Sequence, residues 1–234
     1  MTELVVRWLG ACEYLKVLKA MQHFTAARRP ETPDEVWLLE HFPVYTAGVR
    51  AAARTPAWIH DIPCLPTDRG GLVTYHGPGQ LVAYTLIDLA RLGLSVRDLV
   101  TALEQATVAL LAQYGLCAQT RPNAPGVYVA EAKIAFLGLR VKKAKSYHGL
   151  SLNVDLDLTP FQAIDPCGFK NLTVTRLADL GVGAKVHEVA IPWLVCLITQ
   201  LGFSTIAELR CDLPSSSIAQ PPQKAVEIGH AAHC

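Results

Sequence analysis

Residues 69–80, RGGLVTYHGPGQ, constrain the fold more than any other stretch of the chain. Arg69 sets a fixed cation beside Gly70 and Gly71, which accept positive φ and let a ligand approach the backbone closely. Leu72, Val73, Thr74 and Tyr75 make a short, mainly apolar run. His76 then opens a tight turn in which Gly77 and Gly79 bracket Pro78. From Gln80 the chain resumes as LVAYTLIDL. The pattern predicts a β-hairpin with Arg69, Tyr75 and His76 as polar groups between hydrophobic flanks, a construction that suits the wall of a ligand pocket. Alone, HGPG is also the chemistry of an ordinary hairpin turn; five special residue types in twelve positions go beyond it.

The surrounding chain has the material to enclose such a pocket. Over 234 residues 51% are hydrophobic and no linker interrupts the middle, so residues 1–213 are expected to form one domain. A net charge of +1 gives no general attraction to nucleic acid or an anionic membrane, which leaves a small molecule or a protein as substrate. Seven cysteines at irregular spacings, without a CxxC pair, argue against a disulfide framework or a zinc site and for a reducing cytosol. The opening MTELVVRWLG carries an acid at position 3 and too short an apolar run for a signal peptide, and no stretch is long enough to span a bilayer. A cytoplasmic protein is expected. From position 214 the composition turns to PSSSIAQPPQ and small residues, so residues 214–234 are expected to be a disordered tail, with His230, His233 and Cys234 more plausibly unpacked than metal-binding.

A strand is expected over residues 4–9 and a helix over 11–28, where Tyr14, Leu18, Met21 and Thr25 recur at roughly helical spacing. EVWLLEH (35–41) and VYTAG (44–48) read as strands joined by Phe42-Pro43. Residues 50–66 have no period and read either as a loop covering a pocket or as an inert connection. Ser95 and Asp98 form an S-x-x-D start for a helix bearing Leu99, Leu103, Ala106 and Leu110, which Gly115 ends. A brief strand at 126–129 precedes a longer pair, 133–141 and 147–154, around the basic turn KKAK. A helix over 190–201 has Pro192 in its first turn, and Ser204 caps a further short helix. The whole predicts an α+β domain, a central mixed or antiparallel sheet flanked by helices.

Among the cysteines, Cys12, Cys117, Cys196 and Cys211 sit in apolar or helical surroundings where a cysteine is usually a small buried hydrophobe. Cys167 differs, because Pro166 fixes the chain direction and Gly168 leaves the sulfur approachable. A nucleophilic thiol also needs a cation or histidine to lower its pKa, for which Lys133, His76 and His148 are candidates. If residues 133–141 form a regular strand, Lys133 shares a face with Ala135, Leu137, Leu139 and Val141, which would bury and desolvate its ammonium. The alternative is that Lys133 lies just before the strand and reaches water.

Taken in order, RGGLVTYHGPGQ, PGVYV, KIAFLGLRV, HGLSLNV and PCG resemble the lipoyl(octanoyl) transferase family, and TPDEVWLLEHFPVYTAG fits as well. The resemblance covers roughly residues 7–176. It implies a fold related to biotin and lipoate protein ligases. The implied activity is transfer of octanoyl or lipoyl from acyl carrier protein to a lipoyl-domain lysine, the first step of endogenous protein lipoylation. The implied acceptors are the lipoyl domains of 2-oxoacid dehydrogenases and the glycine cleavage H protein. No cofactor or metal, no nucleic acid, no membrane and a monomeric state complete the expectation. By the same resemblance Cys167 carries the acyl group and Lys133 lowers its pKa. The implied substrate contacts are Arg69, Gly70, Gly71, Leu72, Val73, Thr74, Tyr75 and His76, then Phe136, Leu137 and Gly138, and finally Gly149, Leu150 and Ser151. Two departures stand out. Phe136 occupies a position where a small residue is usual, which suggests a shorter or reshaped acyl tunnel, and residues 50–58 fit the family pattern poorly. Arg140, Lys142, Lys143 and Lys145 crowd one hairpin and could steer an acidic carrier protein. An ATP-dependent lipoate ligase and a non-catalytic acyl-binding protein are the competing readings.

Overall fold

The computed structural model describes residues 3–164 and 172–214. In chain order the elements are β1 (Glu3–Cys12), α1 (Tyr14–Ala27), β2 (Asp34–His41), β3 (Val44–Ala47), β4 (Trp58–Ile59), β5 (Ile62–Pro66), β6 (Val73–His76) and β7 (Gln80–Leu86). They continue with α2 (Leu89–Leu92), α3 (Val96–Gln113), β8 (Ala118–Thr120), β9 (Gly126–Val129), β10 (Ala132–Lys142), β11 (Lys145–Asn153), α4 (Val186–Leu201) and β12 (Thr205–Arg210). Among the described residues the strands form an eight-stranded sheet in the order β12-β1-β2-β7-β11-β10-β9-β8 and a four-stranded sheet in the order β4-β5-β3-β6. The larger sheet is mixed: β1 runs parallel to β2 and β12, and the other pairs are antiparallel. This is the α+β architecture expected from the sequence.

Strand alternation sends alternate residues of the large sheet into two different cores. Val36, Leu38, Leu81, Ala83, Leu150 and Leu152 pack with Leu99, Leu103, Ala106 and Leu110 of α3 and with Val189, Trp193 and Leu197 of α4. The Trp193 indole satisfies its N–H on Thr107 Oγ1 at 2.9 Å, which ties the two helices together inside that core. The residues between them, Trp37, Leu39, Val82 and Tyr84, pack against Tyr14, Val17 and Met21 of α1. Helix α3 begins as its sequence requires: Ser95 Oγ accepts from the Asp98 N–H at 3.2 Å and Asp98 Oδ2 accepts from the Ser95 N–H at 2.8 Å. Gly115, at φ 74°, closes it. The KKAK turn joins β10 and β11 with Lys143 and Ala144 both at positive φ, 51° and 59°.

Several expectations are corrected. The HGPG turn is not the tip of a hairpin: β6 pairs with β3 in the small sheet and β7 with β2 and β11 in the large one. The turn carries the chain from one sheet to the other, as Phe42-Pro43 does between β2 and β3. Residues 50–66 are not a featureless loop, since β5 pairs with both β3 and β4. Helix α1 starts three residues later than expected because β1 runs on through Cys12. Pro192 lies inside α4, which starts at Val186, where Glu188 Oε2 accepts from the Lys185 N–H at 2.7 Å. Ser204 does not cap a helix; it precedes β12, which adds in parallel to β1. Cys117 and Cys211 are exposed, not buried hydrophobes, whereas Cys196 is buried. Beyond Pro214 the expected tail lies outside the described residues, as does Cys167. No helix among the described residues is long and apolar enough to cross a membrane.

Candidate active site

A cavity of about 280 Å³ lies between residues 69–74 and the β7, β10 and β11 strands. Arg69, Gly70, Gly71, Leu72, Val73, Thr74 and His76 line it, as do Lys133, Phe136, Leu137 and Gly138 and also Gly149, Leu150 and Ser151. Tyr75 does not. It turns away into a separate cluster with Tyr45 and Phe161. The Arg69 guanidinium staples this wall to β3, with Nη2 donating to Thr46 O at 2.6 Å and to Leu72 O at 2.8 Å, and Nε donating to Thr46 Oγ1 at 3.1 Å. The Gly70 N–H donates to Leu139 O at 2.9 Å and fastens the same loop to β10. Gly149 is required on the opposite wall, since a Cβ there would collide with the Ala83 carbonyl of the neighbouring strand.

Lys133 is buried, 1% exposed, but not by simple alternation. The register of β10 against β9 slips between Lys133 and Ala135, a bulge that re-aims the side chain. Its Nζ donates to Pro125 O at 2.7 Å and lies 5.0 Å from the Phe136 ring centroid and 5.3 Å from that of Tyr128. Gly126, at φ 140°, makes the room: a Cβ at that position would overlap the lysine's Cε. The Lys133 backbone also pairs outward, its N–H donating to Thr173 O at 2.8 Å and its carbonyl accepting from Thr175 N–H at 3.0 Å. On the other side Phe161 stacks on Phe136, with centroids 5.2 Å apart and planes at 9°.

The cavity is also lined by polar aromatics that the sequence did not single out, Tyr14 and Tyr84, together with His76 and His148. Three buried histidines, His41, His76 and His148, pack around them. Their tautomers follow from their partners. His41 Nδ1–H donates to the Cys12 carbonyl at 2.9 Å, so its Nε2 accepts from the Tyr84 hydroxyl at 2.7 Å. The Gln80 amide donates to Tyr75 O and Asn153 Oδ1, so its Oε1 accepts from His76 Nδ1–H at 2.7 Å. His148 Nε2–H donates to Asp68 Oδ1 at 2.8 Å. Burial keeps all three neutral: it pushes His41 down to about 4, holds His76 well below the ordinary value, and lowers His148 despite the Asp68 carboxylate. Burial alone would raise Asp68, but hydrogen bonds from His148 and Tyr147 outweigh it and hold the carboxyl well below the usual range. His76 and His148 were singled out in the sequence, but for Tyr14, Tyr84 and His41 the only signals were single polar aromatics inside apolar runs, which ordinary packing produces equally well.

A lysine-floored, glycine-walled cavity on a mixed sheet with a small accessory sheet defines a class. The chain belongs to the lipoyl protein ligase A/B catalytic-domain family, whose family model matches residues 13–193. Lipoate-protein ligase A in its ATP-bound crystal structure superposes with a TM-score of 0.73 at 15% identity, covering 91% of this chain and 88% of that one. Biotin protein ligase from Aquifex aeolicus superposes with a TM-score of 0.51 at 14% identity, over 86% and 70%. These likenesses establish the fold. Closer in sequence is the octanoyltransferase of Methylococcus capsulatus, 55% identical over 206 residues, which cover 87% of this chain and 98% of the relative. The octanoyltransferase of Dechloromonas aromatica is 54% identical over 186 residues, covering 79% and 90%. The protein is therefore an enzyme of the acyltransferase class, as the resemblance in its motifs implied.

Proposed function

We propose that the enzyme transfers octanoyl from acyl carrier protein to the lysine of a lipoyl domain, with Cys167 as the acyl carrier and Lys133 as its partner. The observation that carries this reading is the anchoring of the chain on both sides of Cys167. Phe161, before it, stacks on Phe136, and Thr173 and Thr175, after it, pair with the backbone of Lys133. Only two residues lie between Ile164 and Cys167, a reach of at most about 10 Å, which supports pairing the thiol with the lysine. A thioester donor is already activated, so a thiolate exchanges with it directly. The Cys167 thiolate attacks the donor carbonyl and forms the new C–S bond. As the old one breaks, the departing carrier thiolate takes a proton from Lys133. The acceptor amine then attacks the acyl-enzyme, a C–N bond replaces the C–S bond, and the amine proton returns to Lys133, restoring the thiolate–ammonium pair.

Intact mass spectrometry after incubation with octanoyl-carrier thioester, without ATP or Mg²⁺, tests the reading. An octanoyl adduct mapping to Cys167, absent in Cys167→Ser, is expected. Alkylation of Cys167 by iodoacetamide should require higher pH in Lys133→Met than in the wild type, since a nearby ammonium favours the thiolate. Lys133→Arg should form the adduct but discharge it poorly, because arginine keeps the charge and cannot take up a proton. Full activity of Cys167→Ser would end the covalent mechanism.

A further inference from the structure

Glu104 is a carboxylate in an otherwise apolar stripe of α3, with Val100 one turn before it and Val108 one turn after. Val100 lines the cavity together with Asn123, Ala124 and Pro125, so this face of the helix lies against the loop ahead of β9. Burial raises the Glu104 carboxyl, and a group half removed from water needs partners that offset its desolvation. They are the Gly126 N–H, which donates to Glu104 Oε1 at 2.8 Å, and the charge of Lys133 beyond it. Both act through one peptide group. The Pro125–Gly126 bond is trans, so its N–H and its carbonyl point to opposite sides. The N–H faces Glu104, while the Pro125 carbonyl accepts from Lys133 Nζ at 2.7 Å. Carboxylate, amide and ammonium form a chain of two charge-assisted hydrogen bonds, each polarising the amide in the direction that strengthens the other.

Local chemistry holds that peptide loosely. Pro122 and Pro125 have no N–H to give, Asn123 is left-handed at φ 62°, and within the loop the Ala124 N–H donates to Arg121 O at 3.3 Å. The Tyr128 hydroxyl donates to Ala124 O at 3.1 Å, one carbonyl before the one that meets the lysine. Gly126 gives the lysine stem its room, since a Cβ there would lie 2.3 Å from Lys133 Cε, but a glycine also leaves the backbone free to turn. Any turn of this peptide carries the carbonyl, and the ammonium bound to it, away from its place. We propose that Glu104 is a positioning residue for Lys133: by accepting from the Gly126 N–H it fixes the Pro125 carbonyl, which holds the lysine ammonium at the cavity wall. The inference rests on the reading of Lys133 as the partner of Cys167.

The test uses Glu104→Ala, which keeps a strong helix former in α3 and leaves its stripe apolar, and Glu104→Gln, which can still accept from the Gly126 N–H. Alanine should lower kcat by about tenfold or more with KM for the octanoyl-carrier donor within about twofold, and glutamine should stay within about threefold of the wild type. A glutamine variant no better than alanine overturns the proposal. Alkylation of Cys167 by iodoacetamide at pH 7 should be slower in Glu104→Ala than in the wild type, but no slower in the Lys133→Met, Glu104→Ala double variant than in Lys133→Met alone. A further slowing in the double variant overturns it, because the glutamate then acts on something other than the lysine. Acetic anhydride labelling of Lys133, mapped by peptide mass, needs no activity. Glu104→Ala should raise it by about threefold or more with the other lysines unchanged, since the ammonium loses its fixed acceptor. Unchanged labelling, or an equal rise at every lysine, overturns the proposal. If Lys133→Met is alkylated and transfers octanoyl as the wild type does, the pairing of Cys167 with Lys133 fails, while the labelling still decides whether Glu104 holds the lysine.

Discussion

Acidification from pH 7 to 4.5 should weaken the fold through its buried histidines, and His41 allows the size of the effect to be worked out. Its ring is fully buried and its pKa falls from 6.5 to about 4 in the native state, chiefly by desolvation. The unfolded chain therefore binds a proton that the native state refuses throughout the window between those values, and stability is lost as the pH drops through it. At pH 5 the difference in bound protons is about 0.9, a slope of about 1.2 kcal/mol per pH unit. Integrated from pH 7 to 4.5, the loss is about 2.5 kcal/mol, a large part of the 5–15 kcal/mol that holds a typical domain together. His76 and His148, also lowered, add to the slope in the same direction. Urea unfolding followed by the fluorescence of the four tryptophans at several pH values between 7 and 4.5 reads the slope directly. His41→Gln, whose amide can donate to Cys12 O and accept from Tyr84, should show a slope shallower by about 1 kcal/mol per pH unit. Equal slopes in the two proteins, or a wild type flat between pH 7 and 5, would refute the reasoning.

Phe136→Ala removes one partner of the stacked Phe136–Phe161 pair and opens the cavity beside Lys133. It should shift the acyl-chain preference beyond eight carbons at a cost of about 3–5 kcal/mol in stability; unchanged chain-length profiles would show that Phe136 does not limit the tunnel. On the basic hairpin, Lys145 turns inward and donates to Arg28 O at 2.9 Å, leaving Arg140, Lys142 and Lys143 exposed. Reversing Lys142 and Lys143 to glutamate should raise KM for carrier-bound donor at low salt but much less at high salt, whereas an unchanged KM at low salt would remove the hairpin from carrier docking.

Local chemistry determined much of this molecule. The S-x-x-D cap and the apolar stripe of α3, the strand runs of β2 and β11 and the basic turn between β10 and β11 depend on residues within a few positions of one another, so they were legible in order along the chain. So were the glycine-rich segments that let backbone line a cavity. The tertiary structure decided the rest. HGPG has the same local geometry whether it closes a hairpin or passes between sheets; only β3 and β11, competing for the flanking strands, separate the two outcomes. Residues 205–210 form a strand because β1 offers an edge some two hundred positions away, which no helix cap at Ser204 could outweigh. The burial of Lys133 depended on a one-residue slip and on a glycine across the strand pair, neither of which leaves a mark in hydrophobic periodicity. The polar part of the cavity lining is held by pairs separated by 53 positions (Tyr14 and Thr67) and 80 positions (Asp68 and His148). Such partners are unrelated along the chain, and only the stacking of α1 and the residue 67–76 segment over one face of the sheet brings them within hydrogen-bonding distance.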